Sequence, residues 1–393
     1  MAQFGFVTVV WGRGYAEDFV RFGLASLLTP NNLPRFVGRR DCVYRIYTRS
    51  ADVELITASD SYRRLSTLMR VELALISGVS YVGKHRAMTQ CHADFMQSFR
   101  HDGCALSILC PDVIWADGAF ARIGEIEASG KRMIAASTPR LAKEGLLDEI
   151  GRRYSADGGL KPIPPRELVQ IAWRHPHHAI AAQFQNPGLH PDSEFGDFMW
   201  AVADAGFLAR HFQLQPLLVK PVRYDAVPDV AIDADYVLKV GIDRADIYVV
   251  QDSDDVCVFD FTSAKWNAPR RAEKSVDDIV DWAVGVTHPL HHEFIKHKIR
   301  FHWTDCVEER WKAVEEQSDR LVDPIVAAVR TAPKRPTPPS LLRYLSARFL
   351  AAQVGARGLK GFAKEAYLRC RAGVMRKLYG SQIRIRRVPG DAI

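Results

Sequence analysis

Apolar residues in the first 140 positions alternate between strand-like runs and helically spaced segments. The run FGFVTVVW at 4–11 is rich in β-branched and aromatic residues and stops at Gly12, as a buried strand that ends in a tight loop does. The same reasoning predicts strands at 43–49, 104–110 and 132–137, and helices at 15–28, 61–76, 86–100 and 119–130. Such alternation predicts an α/β fold with a mostly parallel sheet and helices on both faces.

Beyond residue 150 the pattern of apolar residues is mixed. Helices are predicted at 166–173, 195–212, 276–286 and 306–330, and strands at 217–222 and 247–250. Four prolines in TAPKRPTPP make 331–339 a linker, because proline cannot continue a helix. The predicted domains are an α/β domain over 1–150, a mixed α/β region over 151–330, this linker, and a basic amphipathic helical tail over 340–393.

The composition is that of a folded protein with a large core. Of the 393 residues, 47% are hydrophobic and 25% are charged, which is enough apolar surface for two compact regions. The start, MAQFGFVTVVWGRG, lacks the basic stretch and cleavage site of a signal peptide, and no run of about 18 uncharged apolar residues occurs. The seven cysteines are scattered singly, so free buried thiols are expected. These features predict a cytoplasmic protein.

The positive charge of the chain is concentrated in its tail. The net charge is +7, but residues 331–393 carry 14 Lys or Arg against two acids, and the first 330 residues have a net charge of −5. This distribution disfavours a nucleic-acid groove along the whole protein. Residues 340–379 space apolar side chains helically between basic ones, a pattern that binds anionic membrane surfaces. The alternatives are that this tail binds nucleic acid or packs on the acidic remainder of the chain.

Ligands of open α/β sheets bind beyond the carboxyl ends of the strands, so the candidate site residues follow the predicted strands. They are Trp11, Gly12 and Tyr15 after the first strand, Tyr47, Thr48 and Arg49 at the end of the second, and Asp112 and Asp117 after the third. A carboxylate after the third strand can hold a divalent ion such as Mn²⁺ or Mg²⁺, which would neutralise a diphosphate leaving group. The alternative is that Asp112 caps a turn and Asp117 caps a helix.

The order of elements over residues 4–140 resembles the GT-A fold class of glycosyltransferases, which is Rossmann-like. The resemblance is carried by the strand FVTVVWG with its helix AEDFVRFGLASLL, the strand YRIYTR, and the segment LSILCPDVIWADGAFARI. The chain is also similar to bacterial glycosyltransferase-like proteins with a VWG, SLL and NLP opening. The resemblance implies transfer of a sugar from a nucleotide-sugar donor to a glycan or lipid-linked acceptor of the cell envelope.

The resemblance also implies roles for individual residues. Donor binding would fall to Val10, Trp11, Gly12, Tyr15, Thr48 and Arg49, with Arg49 facing the diphosphate. The family's metal motif has two acids separated by one residue, whereas Cys110-Pro111-Asp112 and Trp115-Ala116-Asp117 keep only the final acid. Asp112 is the favoured metal ligand, ahead of Asp117, because it lies nearer the strand end. The missing acid leaves open metal-independent chemistry with basic phosphate partners, and also a non-catalytic binding module of glycan or envelope assembly.

The loop GLHPDSEFGDF contains the predicted catalytic residues, Asp192 and His190. By analogy with GT-A enzymes, Asp192 is a candidate base near the acceptor, and His190 a candidate partner in catalysis or late metal ligand. An exposed acidic helix start explains the same residues. The histidines at 175–178 and 288–292 lack the helical spacing and glutamate of zinc hydrolases. The acids at 252–255 are predicted to form a hairpin turn.

A membrane role for the tail, which would make the protein peripheral at the inner membrane face, is testable by sedimentation with anionic liposomes. The full-length protein should sediment with them more than residues 1–330 alone do, because the tail carries the positive charge. Equal sedimentation of the two proteins would contradict this role.

Overall fold

Strands and helices alternate along the chain in a computed structural model, which describes residues 4–38, 41–78, 84–99, 103–185, 196–226, 236–266, 275–305, 308–332 and 383–388. The strands are β1 (Phe4–Val9), β2 (Cys42–Thr48), β3 (Arg70–Ser77), β4 (Ala105–Ile108), β5 (Val113–Trp115), β6 (Met133–Ala136), β7 (Arg140–Ala142), β8 (Ser155–Ala156), β9 (Gly159–Leu160), β10 (Asp197–Val202), β11 (Gly206–His211), β12 (Gln215–Val219), β13 (Ile247–Val249), β14 (Val258–Thr262), β15 (Ile299–His302) and β16 (Arg384–Arg387). The helices are α1 (Arg13–Asp18), α2 (Leu24–Leu27), α3 (Leu33–Val37), α4 (Val53–Thr57), α5 (Asp60–Leu68), α6 (Lys84–Ser98), α7 (Ala119–Ala128), α8 (Lys143–Tyr154), α9 (Pro165–Arg174), α10 (His178–Ala181), α11 (Tyr236–Lys239), α12 (Val276–Val286), α13 (Pro289–Phe294) and α14 (Glu308–Thr331).

An eight-stranded sheet forms the centre of the fold, in the order β13-β6-β12-β4-β1-β2-β3-β16. β1 pairs in parallel with β2 and β4, β2 with β3, and β13 with β6. β12 and β16 are antiparallel to their neighbours. This arrangement confirms the predicted α/β fold with a mostly parallel sheet. Three of its strands, β12, β13 and β16, come from beyond residue 150. The predicted division of the chain at that residue stays a prediction.

Helices cover both faces of this sheet, as predicted. On one face, Val7 of β1 belongs to the same buried core as Phe95 of α6. On the other face, the Phe6 ring lies 5.6 Å from the ring of Phe36 in α3 and 6.0 Å from that of Phe120 in α7. Side chains alternate between the faces of a strand, so a strand buried on both faces is apolar throughout. This explains the run at 4–11, in which Thr8 is the one polar residue.

Two three-stranded sheets lie beside the central one. In the first, β14 lies between β5 and β7. Because β5 follows β4 and β7 follows β6, this small sheet lies at the carboxyl edge of the central sheet. The second has the order β10-β11-β15, and its core side chains, including Trp200, pack with those of α12 and α14, including Trp311.

Two of the predicted helices are wrong. Residues 195–212 contain the antiparallel strands β10 and β11, joined by a turn in which Asp204 has a φ of 59°. Both faces of this hairpin are buried, so its sequence is apolar without a clear period of two, and periodicity alone does not distinguish it from a buried helix. The predicted helix at 61–76 ends at Leu68, after which β3 pairs with β2.

The described part of the C-terminal region pairs with the edge of the central sheet. β16 runs antiparallel to β3, and the Arg387 guanidinium donates a hydrogen bond to the Ser98 hydroxyl at 2.8 Å. The predicted amphipathic helix at 340–379 lies outside the described residues. Among the described residues, no helix is both long and apolar enough to cross a bilayer.

The close approach of β11 and β15 predicts a large effect of a small substitution. A Cβ atom at Gly206 would lie 1.8 Å from the carbonyl oxygen of Phe301. Gly206→Ala should therefore lower the free energy of unfolding by about 3 kcal/mol, measured by urea denaturation, because the backbone must move. Gly151→Ala is the matched control, since this helical position has open space around it, and it should be neutral or stabilising by about 0.5–1 kcal/mol. Equal stabilities of the two variants would contradict the close approach.

Candidate functional site

The loop after β1 is held by contacts from β2 and the segment that follows it. The Val10 amide donates to the Tyr47 carbonyl at 2.9 Å, which extends the strand pairing by one residue. Gly12 has a φ of 90°, a value that favours glycine, and its amide donates to the Asp52 carboxylate at 2.8 Å. Tyr15, near the start of α1, is 55% exposed. The loop is therefore fixed by its backbone and presents an aromatic ring outward.

The end of β2 lies at the same edge of the sheet. Thr48 is fully buried, and its hydroxyl has no hydrogen-bond partner in the described part of the chain. A buried hydroxyl without a partner costs about 1–3 kcal/mol. Trp11 is partly buried against the core, and Arg49 is also partly buried. The predicted donor residues after β1 and at the end of β2 thus come to one edge.

The small sheet brings Asp112 next to an acid that the sequence analysis did not single out, Asp260. The Asp112 carbonyl accepts a hydrogen bond from the Phe261 amide at 2.9 Å. Asp260, in the middle of β14, is directly opposite Val113 of β5 and Arg140 of β7. Residues opposite each other in a sheet point to the same face, so the side chains of Asp260 and Arg140 are neighbours.

The two carboxyl groups share an electrostatically unfavourable environment. Burial, and then the charge of Asp112, raise the pKa of Asp260 to about 8, against a lowering by Arg140. Burial also raises the pKa of Asp112. The negative charge of Asp18 raises this pKa further, whereas the positive charge of Arg140 lowers it. Asp18 is itself paired with Lys143 at the start of α8. The positive charge of Arg140 only partly offsets the negative charges of the two acids. Such a pair favours either a shared proton or a bound cation.

A glycine lets the first helical segment approach the Asp112 loop. Residues Phe19–Gly23 form a π-helical turn between α1 and α2. A Cβ atom at Gly23 would lie 2.6 Å from the carbonyl oxygen of Pro111. Because π-turns of this kind occur often at functional sites, the close packing against the residue before Asp112 supports this region as the site.

The other predicted site residues have different positions. The Asp117 carboxylate accepts hydrogen bonds from the Asn31 amide, at 3.0 Å, and from its side chain, at 2.7 Å. These bonds tie the loop before α3 to the segment before α7, and they occupy both carboxylate oxygens. His190 and Asp192 fall within 186–195, outside the described residues, so their catalytic roles stay predictions.

The histidine clusters are used in local packing. His175 forms a hydrogen bond to Glu149 at 2.8 Å. His177 accepts the amide hydrogen of Ala179 and so caps α10. His292 forms a hydrogen bond to the hydroxyl of Thr287 at 2.7 Å. These contacts give three of the clustered histidines local structural partners.

In the described part of the chain, one set of three possible metal ligands has all its donor atoms within 4.8 Å of one another: Asp252, Asp254 and His302. The imidazole lies 2.9 Å from Asp252, whose hydrogen bond raises the pKa of His302. Arg166 pairs with Asp254 at 2.8 Å. Basic side chains thus already compensate these acids. Residues 252–255 form the predicted turn, but it is not a hairpin, because the flanking strands β13 and β14 belong to different sheets.

The sequence contained a signal for Asp260. It is a single acid within the apolar segment VCVFDFT, and an ionisable residue in a buried strand is costly unless it has a role. Arg140 and Asp52 had no such signal, because their importance depends on partners distant in the sequence.

No protein-family model and no curated protein matches the chain. Among solved structures, a protein described as a glucose-1-phosphate thymidylyltransferase from Bacillus anthracis, in complex with sucrose, aligns with 36% of this chain at 10% identity and a TM-score of 0.21. The alignment covers 57% of that protein's length. A likeness this weak carries no argument about function.

The raised pKa of Asp260 predicts a pH-dependent stability. An aspartate in the unfolded chain ionises near pH 4, whereas Asp260 in the fold ionises at about pH 8. The folded protein should therefore lose stability as the pH rises between these values, because only the unfolded chain releases this proton. Asp260→Asn removes the effect, so the melting temperature of the variant relative to the natural protein should increase from about pH 5 to about pH 8.

Asp148→Asn is the control for this measurement, since Asp148 is an exposed acid on α8. Its melting temperature should follow that of the natural protein at every pH. If the melting temperature of Asp260→Asn changed with pH in parallel with that of the natural protein, the pKa of the Asp260 carboxyl would not be raised.

Proposed function

We propose that the protein is a glycosyltransferase that moves a sugar from a nucleotide-sugar donor to a glycan or lipid-linked acceptor. The observation that carries this proposal is the pair of partly buried carboxyl groups, Asp112 and Asp260, at the carboxyl edge of the sheet, where desolvation raises the pKa of both. Ligands of open α/β sheets bind at this edge. A carboxylate pair there suits a substrate that brings both a divalent cation and a diphosphate.

The loop after β1 is the proposed site for the nucleoside of the donor. Gly12 has no side chain to obstruct a ligand, and the hydrogen bond that its backbone amide donates to the Asp52 carboxylate holds the loop in place. The exposed ring of Tyr15 offers a stacking surface for a base. Thr48, at the end of β2, belongs to the same proposed set. Val10, Trp11 and Arg49 complete this proposed set.

Asp112 and Asp260 would hold Mn²⁺ or Mg²⁺ together with the phosphate oxygens. Their donor set fits such an ion, because both are hard oxygen ligands, and Mg²⁺ is usually bound by one or two carboxylates plus substrate phosphates. The cation supplies positive charge that stabilises the diphosphate as it leaves. Arg140 lies beside Asp260 and adds positive charge on the same face of the small sheet. Lys143, held by Asp18, adds a second basic group.

The acceptor side of the proposal rests on residues predicted from the sequence. Asp192 is the proposed base, with His190 as its partner, and the tail at 340–379 is the proposed contact with an anionic membrane that carries the acceptor. The competing proposal is a non-catalytic binding module, which the missing first acid of the metal motif favours. The two proposals differ in whether bound donor is turned over.

The donor class can be tested by thermal shift with UDP, GDP, CDP, TDP and their common sugars, with and without Mn²⁺. One nucleotide family should raise the melting temperature of the natural protein only with the metal, because the ligand binds only the folded state. Asp112→Asn and Asp260→Asn should each abolish the metal-dependent rise, since each removes a negatively charged ligand.

Asp148→Asn should retain the full rise and so controls for general effects of charge. A rise that is indifferent to metal and to both site variants would contradict the proposed cation site. Binding without release of the nucleoside diphosphate, tested with glycan and lipid-linked acceptors, would favour the binding module.

A further inference from the structure

A serine, a histidine and an aspartate form a continuous hydrogen-bonded chain outside the proposed donor site. The Ser137 hydroxyl lies 2.7 Å from Nε2 of His211, and Nδ1 of the same ring lies 2.7 Å from a carboxylate oxygen of Asp197. Ser137 is 6% exposed and His211 is 5% exposed. This is the connectivity of an activated nucleophile, a base and the group that orients the base.

Two of the three residues, Asp197 and His211, lie in paired strands, and the third, Ser137, comes directly after a strand. Ser137 directly follows β6, at the carboxyl edge of the central sheet. His211 is the last residue of β11, and Asp197, the first residue of β10, is its cross-strand partner. Paired strands fix the distance between directly opposite residues. The hydrogen-bonded series Ser137–His211–Asp197 therefore connects the central sheet to the β10-β11-β15 sheet.

The hydrogen bonds assign a role to each group. An ionised carboxylate only accepts hydrogen bonds, so Asp197 accepts the Nδ1 hydrogen of a neutral His211. Nε2 is then the free acceptor and faces the Ser137 hydroxyl hydrogen. The burial of both partners excludes water that would otherwise compete for these bonds.

An apolar cavity lies along the same two segments. It has a volume of about 160 Å³, and its lining includes Pro139, Leu141, Trp173, Phe184, Phe207 and Phe259. Residues 137, 139 and 141 are buried, and the residues between them are partly exposed. The side chains of Ser137, Pro139 and Leu141 therefore point to the same side of this extended segment. Phe207 is on the same face of β11 as His211, because residues an even number apart in a strand share a face. Cavities of this size and lining bind small hydrocarbon groups.

We propose that Ser137 is the nucleophile of an acyl-transfer site for carboxylic esters with a short hydrocarbon acyl group, which would lie in this cavity. Nε2 of His211 takes the hydroxyl proton as Oγ forms a bond to the ester carbonyl carbon. The ester C–O bond then breaks, and the alcohol leaves with the proton from His211. Water, deprotonated by the same nitrogen, attacks the acyl-serine, releases the acid and returns the proton to Oγ. This activity is independent of the proposed glycosyl transfer.

The test is covalent labelling of the full-length protein with an alkyl fluorophosphonate, which releases fluoride as its phosphorus bonds to the nucleophilic oxygen. Mass spectrometry should locate the label on Ser137. The natural protein should also hydrolyse p-nitrophenyl butyrate, with a burst of p-nitrophenol from the first turnover. Asp197→Asn should slow labelling by roughly 100-fold or more, because the amide no longer selects the reactive tautomer. His211→Gln should abolish labelling.

Ser107→Ala is the matched control, since Ser107 is a buried serine of the same sheet whose hydroxyl donates only to the Leu217 carbonyl, at 2.6 Å. It should be labelled at the rate of the natural protein. Mapping the label on the natural protein requires no variant, so a variant that fails to fold leaves the test intact. Folded natural protein without a label on Ser137 would overturn the proposal, as would equal labelling rates for the natural protein and His211→Gln.

Discussion

The hydrogen bond from the Phe261 amide to the Asp112 carbonyl ties the segment after β4 to the middle strand of the small sheet, and the candidate donor site depends on it. It brings Asp260 to Asp112, although the two acids are far apart in the sequence. Desolvation raises the pKa of both acids, and the charge of Asp112 raises that of Asp260 further. The pair therefore favours binding of a cation, because a positive charge between the two carboxylates offsets both their desolvation and their mutual repulsion.

The sequence predicted those parts of the site that depend on a single element. Asp112 could be identified because it directly follows an apolar strand, and Gly12 because it ends one. Asp260 was missed, since no local pattern reveals that β14 inserts between β5 and β7. The hairpin of β10 and β11 was predicted as a helix for a related reason. Its two faces are buried by different cores, and this removes the alternation that marks a strand.

Residues 137–142 contribute to both proposed sites. Arg140 faces Asp260 on one side of the small sheet, whereas Leu141 contributes to the cavity on the other. Ser137, at the beginning of the segment, contacts His211. An extended chain can serve two sites because successive side chains point in opposite directions. A shift of this segment would therefore change the acidic pair and the serine together.

The pairing of β16 with β3 has a consequence for the behaviour of the protein in solution. An unpaired outer strand offers a row of amide and carbonyl groups to which another chain can add. β16 occupies that row on β3, and its own exposed side chains, Arg384, Arg386 and Arg387, place like charges along the new border of the sheet. Like charges along this border disfavour edge-to-edge pairing with a second copy of the chain. Proteolytic removal of β16 would convert this protected border into a template for self-association.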